Sequence, residues 1–200
     1  MAEPTTGRGS KMVWVAIAGG LVFVVLATVF ASRFGSDPGI TNSPLKDKPA
    51  PTNPIALMDG SGDISVADYA GDIVVVNFWA SWCFGCRTEH PALTRAAAEY
   101  EAFGTTFIAV NYQDDQHRAE AFLDELGRSP QTVYTVDEGS ATAFAWGVLG
   151  LPETFFVDRE GIVVGKVSGP ISYELLSATI DRIIVGDAID DVVTGDVENR

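Results

Sequence analysis

The sequence predicts an α/β domain with a mixed central sheet covered by helices on both faces, preceded by one apolar helix and a linker. Three observations predict it. Ile73 to Trp79 reads IVVVNFW, a β-branched and nearly unbroken apolar run, as in a strand buried on both faces. A helical stretch and a second apolar run, Thr105 to Val110, follow it. Later, Glu153 to Val157 and Ile162 to Val167 flank Asp158-Arg159-Glu160-Gly161, which reads as an antiparallel hairpin. Strand, helix, strand, helix and then a hairpin and a helix require both parallel and antiparallel neighbours in one sheet.

The chain begins with residues 1–11, placed on the cytoplasmic side. Met12 to Ser32 contains no charged residue over 21 positions, enough helix to cross roughly 30 Å of hydrocarbon. Arg8 and Lys11 precede it and Arg33 follows. The orientation bias is weak, because Lys46 and Lys48 lie beyond. A cleaved signal peptide is the alternative, with Ala31 as a small residue for cleavage, but such apolar regions are shorter. No cysteine stands near the segment for lipid attachment. Residues 33–54 carry Pro38, Pro44, Pro49, Pro51 and Pro54 and read as a semi-extended linker.

Residues 55–186 form the globular domain. Ile55 to Val66 contains short apolar pieces around Asp59-Gly60-Ser61-Gly62, a hairpin signal. After Trp79 a helix runs to about Phe103, with Pro91 inside it removing one backbone donor. Asp114 or Asp115 caps the next helix, which buries Ala119, Phe122, Leu123 and Leu126 and closes at Gly127. Thr132 to Val136 is a short strand, and a weak helix follows near Ser140 to Trp146. Ser172 caps a last helix bearing Leu175, Leu176, Thr179, Ile180 and Ile183. Residues 187–200 are acidic, without apolar period, and read as a solvated tail.

The formal charge is −14. From Ala50 onward 24 acidic residues face 8 basic ones. That balance argues against nucleic acid and against an anionic lipid surface, and favours solubility and a basic partner.

Only two cysteines occur, Cys83 and Cys86. A bridge between them closes almost no loop, so it adds little stability through chain entropy. Such a pair serves chemistry more than stapling. A strand that turns at once into a helix places Cys83 at the helix N-terminus, where unpaired N–H groups and the macrodipole favour a thiolate. Cys86, one turn on, is within bridging distance. Cys83 can then attack a disulfide and Cys86 resolve the mixed disulfide. Two alternatives stand beside this: an inert buried pair, and a zinc half-site completed by His90 or His117, although zinc normally takes four ligands.

Asn77-Phe78-Trp79-Ala80-Ser81-Trp82-Cys83-Phe84-Gly85-Cys86-Arg87-Thr88-Glu89-His90 resembles the active-site stretch of thioredoxin-like proteins. In particular it resembles the cytochrome c maturation reductases, the DsbE/CcmG group, with ResA and TlpA as relatives. Ile108 to Asp115 is similar to that group's strand-to-loop segment, and Gly150 to Asp158 to its proline loop. The resemblance runs from about Pro54 to Ile184 and implies a thioredoxin-like fold. It implies Cys83 as nucleophile, Cys86 as resolving thiol and Glu89 as a proton-handling acid, with a solvated helix carboxylate as the alternative for Glu89. It implies a cis Pro152 facing the cysteines, with the Leu151 backbone left to pair with an extended substrate. Glu153 is a second proton-handling candidate, with a structural role as its alternative. Asn77 stands where thioredoxin itself has a buried acid, so acid–base help must come from elsewhere. Many relatives have proline immediately before the second cysteine; here Gly85 takes that place. Residues between the cysteines tune thiolate stability and hence potential, about 30 mV for every 1.4 kcal/mol.

Trp82 is expected to frame a substrate groove, Trp79 and Trp146 to be core, and His90 and His117 to be exposed helix residues. No metal or other cofactor is expected beyond the redox-active disulfide. The leading function is an extracytoplasmic oxidoreductase, anchored by a single pass in a bacterial cell membrane, that reduces apocytochrome c CxxCH disulfides for haem attachment. Its partners are then apocytochrome c or other exported thiol proteins and a CcdA-like membrane electron donor. The alternatives are a DsbA-like oxidase and a tethered, non-enzymatic binding module with a structural disulfide or zinc. A peroxidatic enzyme is disfavoured, because no separate Thr-x-x-Cys occurs.

Overall fold

A computed structural model describes residues 8–33, 43–187 and 189. The N-terminal unit is one helix, α1 (Arg8–Arg33), continuous over 26 residues. Met12 to Ser32 therefore lies within a single helix. Among the described residues no helix is long and apolar enough to cross a membrane.

The second unit carries the sheet. Its elements in order are β1 (Lys48–Pro49), β2 (Ile55–Leu57), β3 (Asp63–Ile64), β4 (Ile73–Trp79), α2 (Phe84–Tyr100), β5 (Thr105–Tyr112), α3 (Gln116–Leu126), β6 (Thr132–Asp137), α4 (Ala141–Trp146), β7 (Glu153–Val157), β8 (Ile162–Ser168) and α5 (Tyr173–Ile184). The strand order is β1-β8-β7-β4-β5-β6-β2-β3. β4, β5 and β6 run parallel, while β7 lies antiparallel to β4 and β8 to β7. The mixed sheet expected from the element order is present, and β4 sits at its centre.

All seven residues of β4 are buried, which explains why its sequence shows no polar alternation. The pleat still divides them. Val74, Val76 and Phe78 face Trp146 of α4, with Phe155 beside them. Val75 faces the opposite layer, where Ala96, Ala97 and Tyr100 of α2 meet Leu176 and Ile180 of α5. Trp79 packs with Ala119, Phe122 and Leu123 of α3. By the same period of two, Asn77 shares its face with Val75 and Trp79 and looks toward α2. Both ends of the sheet are two-residue strands, which leaves little edge for unwanted pairing.

The linker ends earlier than expected. Lys48 and Pro49 pair with Val163 and Ile162 of β8, and Ala50 is buried in the core. A proline is tolerated at that edge because it lacks only an outward donor. The expected tail lies largely outside the described residues; within it, Ile189 is buried.

Candidate active site

The turn between β4 and α2 is held by Asp114. Its carboxylate accepts from the Ser81 N–H and hydroxyl, from the Asn111 amide and from the Asp115 N–H. Partial burial pulls the Asp114 carboxyl up, but these hydrogen bonds outweigh it and hold the group below its ordinary value. Asp115 caps α3, accepting from the Arg118 N–H. The two acids considered as caps thus divide the work. Trp82, next in the turn, is exposed and donates its indole N–H to the Gln113 carbonyl at 3.0 Å.

Cys83 is the N-cap of α2, with extended φ −87° and ψ 113°. Its Sγ accepts the Cys86 N–H at 3.1 Å. The two residues form a disulfide with Cα atoms 5.3 Å apart, and both are buried, Cys83 at 7% exposure and Cys86 at 3%. Phe84, between them, is 84% exposed. The helix terminus supplies a hydrogen bond and positive potential where a thiolate would form.

Glu89 follows one turn later on the inner side of α2, with only 1% of its surface exposed. Oε1 accepts the Asn77 amide at 2.7 Å, and Oε2 accepts the Ile171 N–H at 3.0 Å. Asn77 also donates to Thr154 Oγ1 at 3.0 Å. Burial raises the Glu89 carboxyl to about 8, while the Ile171 and Asn77 hydrogen bonds pull the other way. Asn77 is thus not merely a missing acid. It is the hydrogen-bond partner of the acid that the neighbouring helix supplies.

The Leu151–Pro152 bond is cis. Pro152 lies against the redox turn: a Cβ built on Gly85 would sit 2.9 Å from Pro152 Cδ. Leu151 is partly buried between two core clusters. Glu153 is buried and paired with Lys166 Nζ at 2.8 Å, their side chains 2% and 3% exposed. Glu153 also accepts from the Leu149 N–H and the Ser168 hydroxyl. This pair ties β7 to β8 and pins the loop before Pro152, an arrangement that favours the structural role for Glu153.

Lys166 and Pro170 escaped the sequence reading. Lys166 left a trace, a lone charge within the apolar run of β8, diagonal to Glu153 across the hairpin register. Pro170 left none, because its partner Gly85 is far away in the chain.

His90 corrects an expectation. It is buried rather than exposed, its Nε2 lies 2.7 Å from the Gly127 carbonyl and its ring meets Phe122 edge-on. Four residues after Cys86, it shares the helical face that packs on α3. Burial is the main cause lowering its imidazole below the ordinary value; the Arg87 charge adds to this and the Gly127 carbonyl opposes it. Cys86, Asn77, Trp79 and His90 line one cavity of about 30 Å³. His117 is exposed on α3, and Trp79 and Trp146 are core, as expected.

Comparison with known proteins places this geometry among thiol–disulfide exchange proteins. The pattern of the AhpC/TSA family matches residues 47–166. The chain is 36% identical over 154 residues to the thiol:disulfide interchange protein HelX of Rhodobacter capsulatus, covering 76% of this chain and 85% of that one. It is 38% identical over 164 residues to the thiol:disulfide interchange protein DsbE of Allochromatium vinosum, covering 82% and 88%. A crystal structure assigned as a DsbE-type thiol:disulfide interchange protein from Chlorobium tepidum superposes with a TM-score of 0.63 at 30% identity, covering 70% of this chain and 97% of that one.

Proposed function

The chain belongs to the AhpC/TSA family and is a thiol:disulfide oxidoreductase of the DsbE/HelX kind, and on that premise we propose that it reduces apocytochrome c disulfides through Cys83 and Cys86. The observation that carries the proposal is Cys83 at the N-cap of α2, its sulfur already accepting the Cys86 N–H. That bond strengthens when the sulfur is anionic.

In the reduced enzyme the Cys83 thiolate attacks one sulfur of a substrate CxxCH disulfide. The Cys83–substrate S–S bond forms, the substrate's own S–S bond breaks, and the departing thiolate takes a proton. Cys86 then loses its proton and attacks Cys83 Sγ. This releases the second substrate thiolate and leaves the Cys83–Cys86 disulfide. Two electrons pass to the substrate, and a membrane dithiol donor of the CcdA kind returns them. Glu89 handles the protons: at about 8, its carboxyl has both forms within reach from neutral to mildly alkaline pH.

Trp82, Phe84 and Leu149 are exposed apolar side chains close in sequence to Cys83 and Pro152 and form the substrate face. Among the described residues Leu151 makes no hydrogen bond to another backbone group, which suits pairing with an extended peptide. Glu153 supports that loop through Lys166. Although no described helix is by itself long and apolar enough to cross a membrane, we propose that α1 belongs to a single-pass anchor that keeps the domain on the extracytoplasmic face of a bacterial cell membrane. Its 21 uncharged residues and its exposed Val13, Trp14, Leu21 and Phe23 support the assignment.

Cys86→Ser, expressed in cells that make c-type cytochromes, tests the reading. It should accumulate a mixed disulfide between Cys83 and an apocytochrome CxxCH segment, and Cys83→Ser should abolish it. Loss of c-type cytochromes in a deletion strain should accompany this. Normal c-type cytochromes in that strain, or a potential near the roughly −120 mV of strong oxidants, would sink the reductase reading.

A further inference from the structure

Three consecutive residues between β8 and α5 each touch a different part of the redox site. The Gly169 N–H donates to the Pro152 carbonyl at 2.9 Å. Pro170 lies over Gly85: a Cβ there would meet Pro170 Cγ at 2.9 Å and Cδ at 3.5 Å, as well as Pro152 Cδ at 2.9 Å. The Ile171 N–H donates to Glu89 Oε2 at 3.0 Å. Gly85 is therefore held between two rigid proline rings. It is also half of the peptide unit whose N–H, on Cys86, donates to Cys83 Sγ at 3.1 Å.

We propose that Pro170 is a positioning residue that holds the Gly85–Cys86 peptide with its N–H aimed at Cys83 Sγ, and so sets the reduction potential of the pair. The inference rests on the reading that Cys83 and Cys86 exchange electrons with a substrate.

The physical link runs through one hydrogen bond. Reduction breaks the Cys83–Cys86 bond and adds two electrons, leaving a thiolate on Cys83 and, with one proton, a thiol on Cys86. An N–H donates more strongly to a thiolate than to a disulfide sulfur, so the bond stabilises the reduced form selectively. A side chain at position 85 cannot enter without moving the peptide, because each facing atom belongs to a stiff ring. Moving the peptide lengthens the bond to Cys83 and makes the pair more reducing. Pro170 also precedes the Ile171 N–H, so the same residue fixes a donor to Glu89.

The test equilibrates full-length protein in detergent with dithiothreitol redox buffers and reads the fraction reduced. Gly85→Ala should shift the equilibrium about tenfold toward the disulfide, about 30 mV more negative. Pro170→Gly, which removes the ring and introduces no clash, should shift it about threefold in the same direction. The double variant should shift it by less than the product of the two, since contacting residues do not act independently. A merely packing role would destabilise oxidised and reduced forms alike and leave the potential unmoved. Wild-type potential in both single variants, or strictly multiplicative shifts in the double variant, overturns the proposal. If Gly85→Ala fails to fold, Pro170→Gly decides alone. A wild-type pair that does not cycle reversibly defeats the exchange reading and this inference together; a cycling pair indifferent to Pro170 defeats only the inference.

Discussion

The side-chain amide of Asn77 on the central strand β4 donates to Oε1 of Glu89 on α2 at 2.7 Å, behind the helix turn that carries Cys83 and Cys86. A strand residue and a helix residue thus make one buried polar unit, completed by Thr154 and the Ile171 N–H. The acid sits on the helix and the amide on the sheet. Several outcomes depend on that division.

Replacing Glu89 by Gln removes the titratable proton while keeping the side chain's size. Steady-state reduction of a CxxCH peptide disulfide should fall on the order of a hundredfold at neutral pH, within the range of general acid–base catalysis. An inflection near pH 8 in the wild-type rate profile should vanish. An unchanged profile would remove Glu89 from the proton path.

Asn77→Ala deletes a hydrogen bond that pulls the Glu89 carboxyl down. With burial less opposed, the carboxyl should titrate higher than in the wild type, and the rate inflection should move to higher pH. Carbon NMR of the Glu89 carboxyl through a pH series measures this directly. A downward move contradicts the hydrogen bond's direction.

Stability should depend on pH through the same group. Glu89 titrates near 8 when folded and near 4.3 when unfolded. Between those values the folded state keeps a proton that the unfolded chain has released. Its contribution is therefore full below the unfolded value and is lost as pH rises through the folded one, by a few kcal/mol at most. Urea midpoints of the oxidised protein from pH 4 to 9 should fall across this window. Glu89→Gln should flatten that slope.

Lys166→Met leaves Glu153 as an unpaired buried charge. Removing one partner of such a pair costs about 3–5 kcal/mol, so the urea midpoint should drop sharply. Lys166→Met combined with Glu153→Gln should recover much of the loss. Additive losses would show that the 2.8 Å contact contributes little.

Asp114→Ala takes the acceptor from Ser81 and Asn111 and leaves the turn before Cys83 unbraced. Losing buried or partly buried hydrogen bonds should cost about 1–3 kcal/mol and slow exchange. Asp114→Glu, displaced by one methylene, should behave nearly as badly. Because its hydrogen bonds hold the Asp114 carboxyl low, its support is present above the ordinary aspartate value and lost as pH falls below it. An acid limb in the urea midpoints that survives in Asp114→Ala would assign that limb to another group.

Local chemistry was legible in the chain. IVVVNFW reads as a buried strand because it is short, β-branched and nearly without polar alternation, and it forms β4. Ser172 and Gly127 marked helix ends because caps are local hydrogen-bonding devices, and each occupies its expected place. The choice between Asp114 and Asp115 was not legible. Both can cap, and the winner depended on Ser81, 33 residues away from Asp114. The linker's end was misplaced for a similar reason: proline and lysine read as solvated until β8 offers an edge to pair with.

The cysteine pair, its position after a buried strand and the glutamate one turn later were set by the sequence alone, since spacing along one strand–helix unit fixes which residues share a face. The environment of those residues was decided only by the tertiary structure. Burial to 1% exposure makes Glu89 an acid near 8 rather than a solvated helix carboxylate. The packing of α2 on α3 turned His90 inward, and the return of the chain after β8 set Pro170 on Gly85. Desolvation and steric contact come from atoms distant in the chain, and no local pattern encodes their approach.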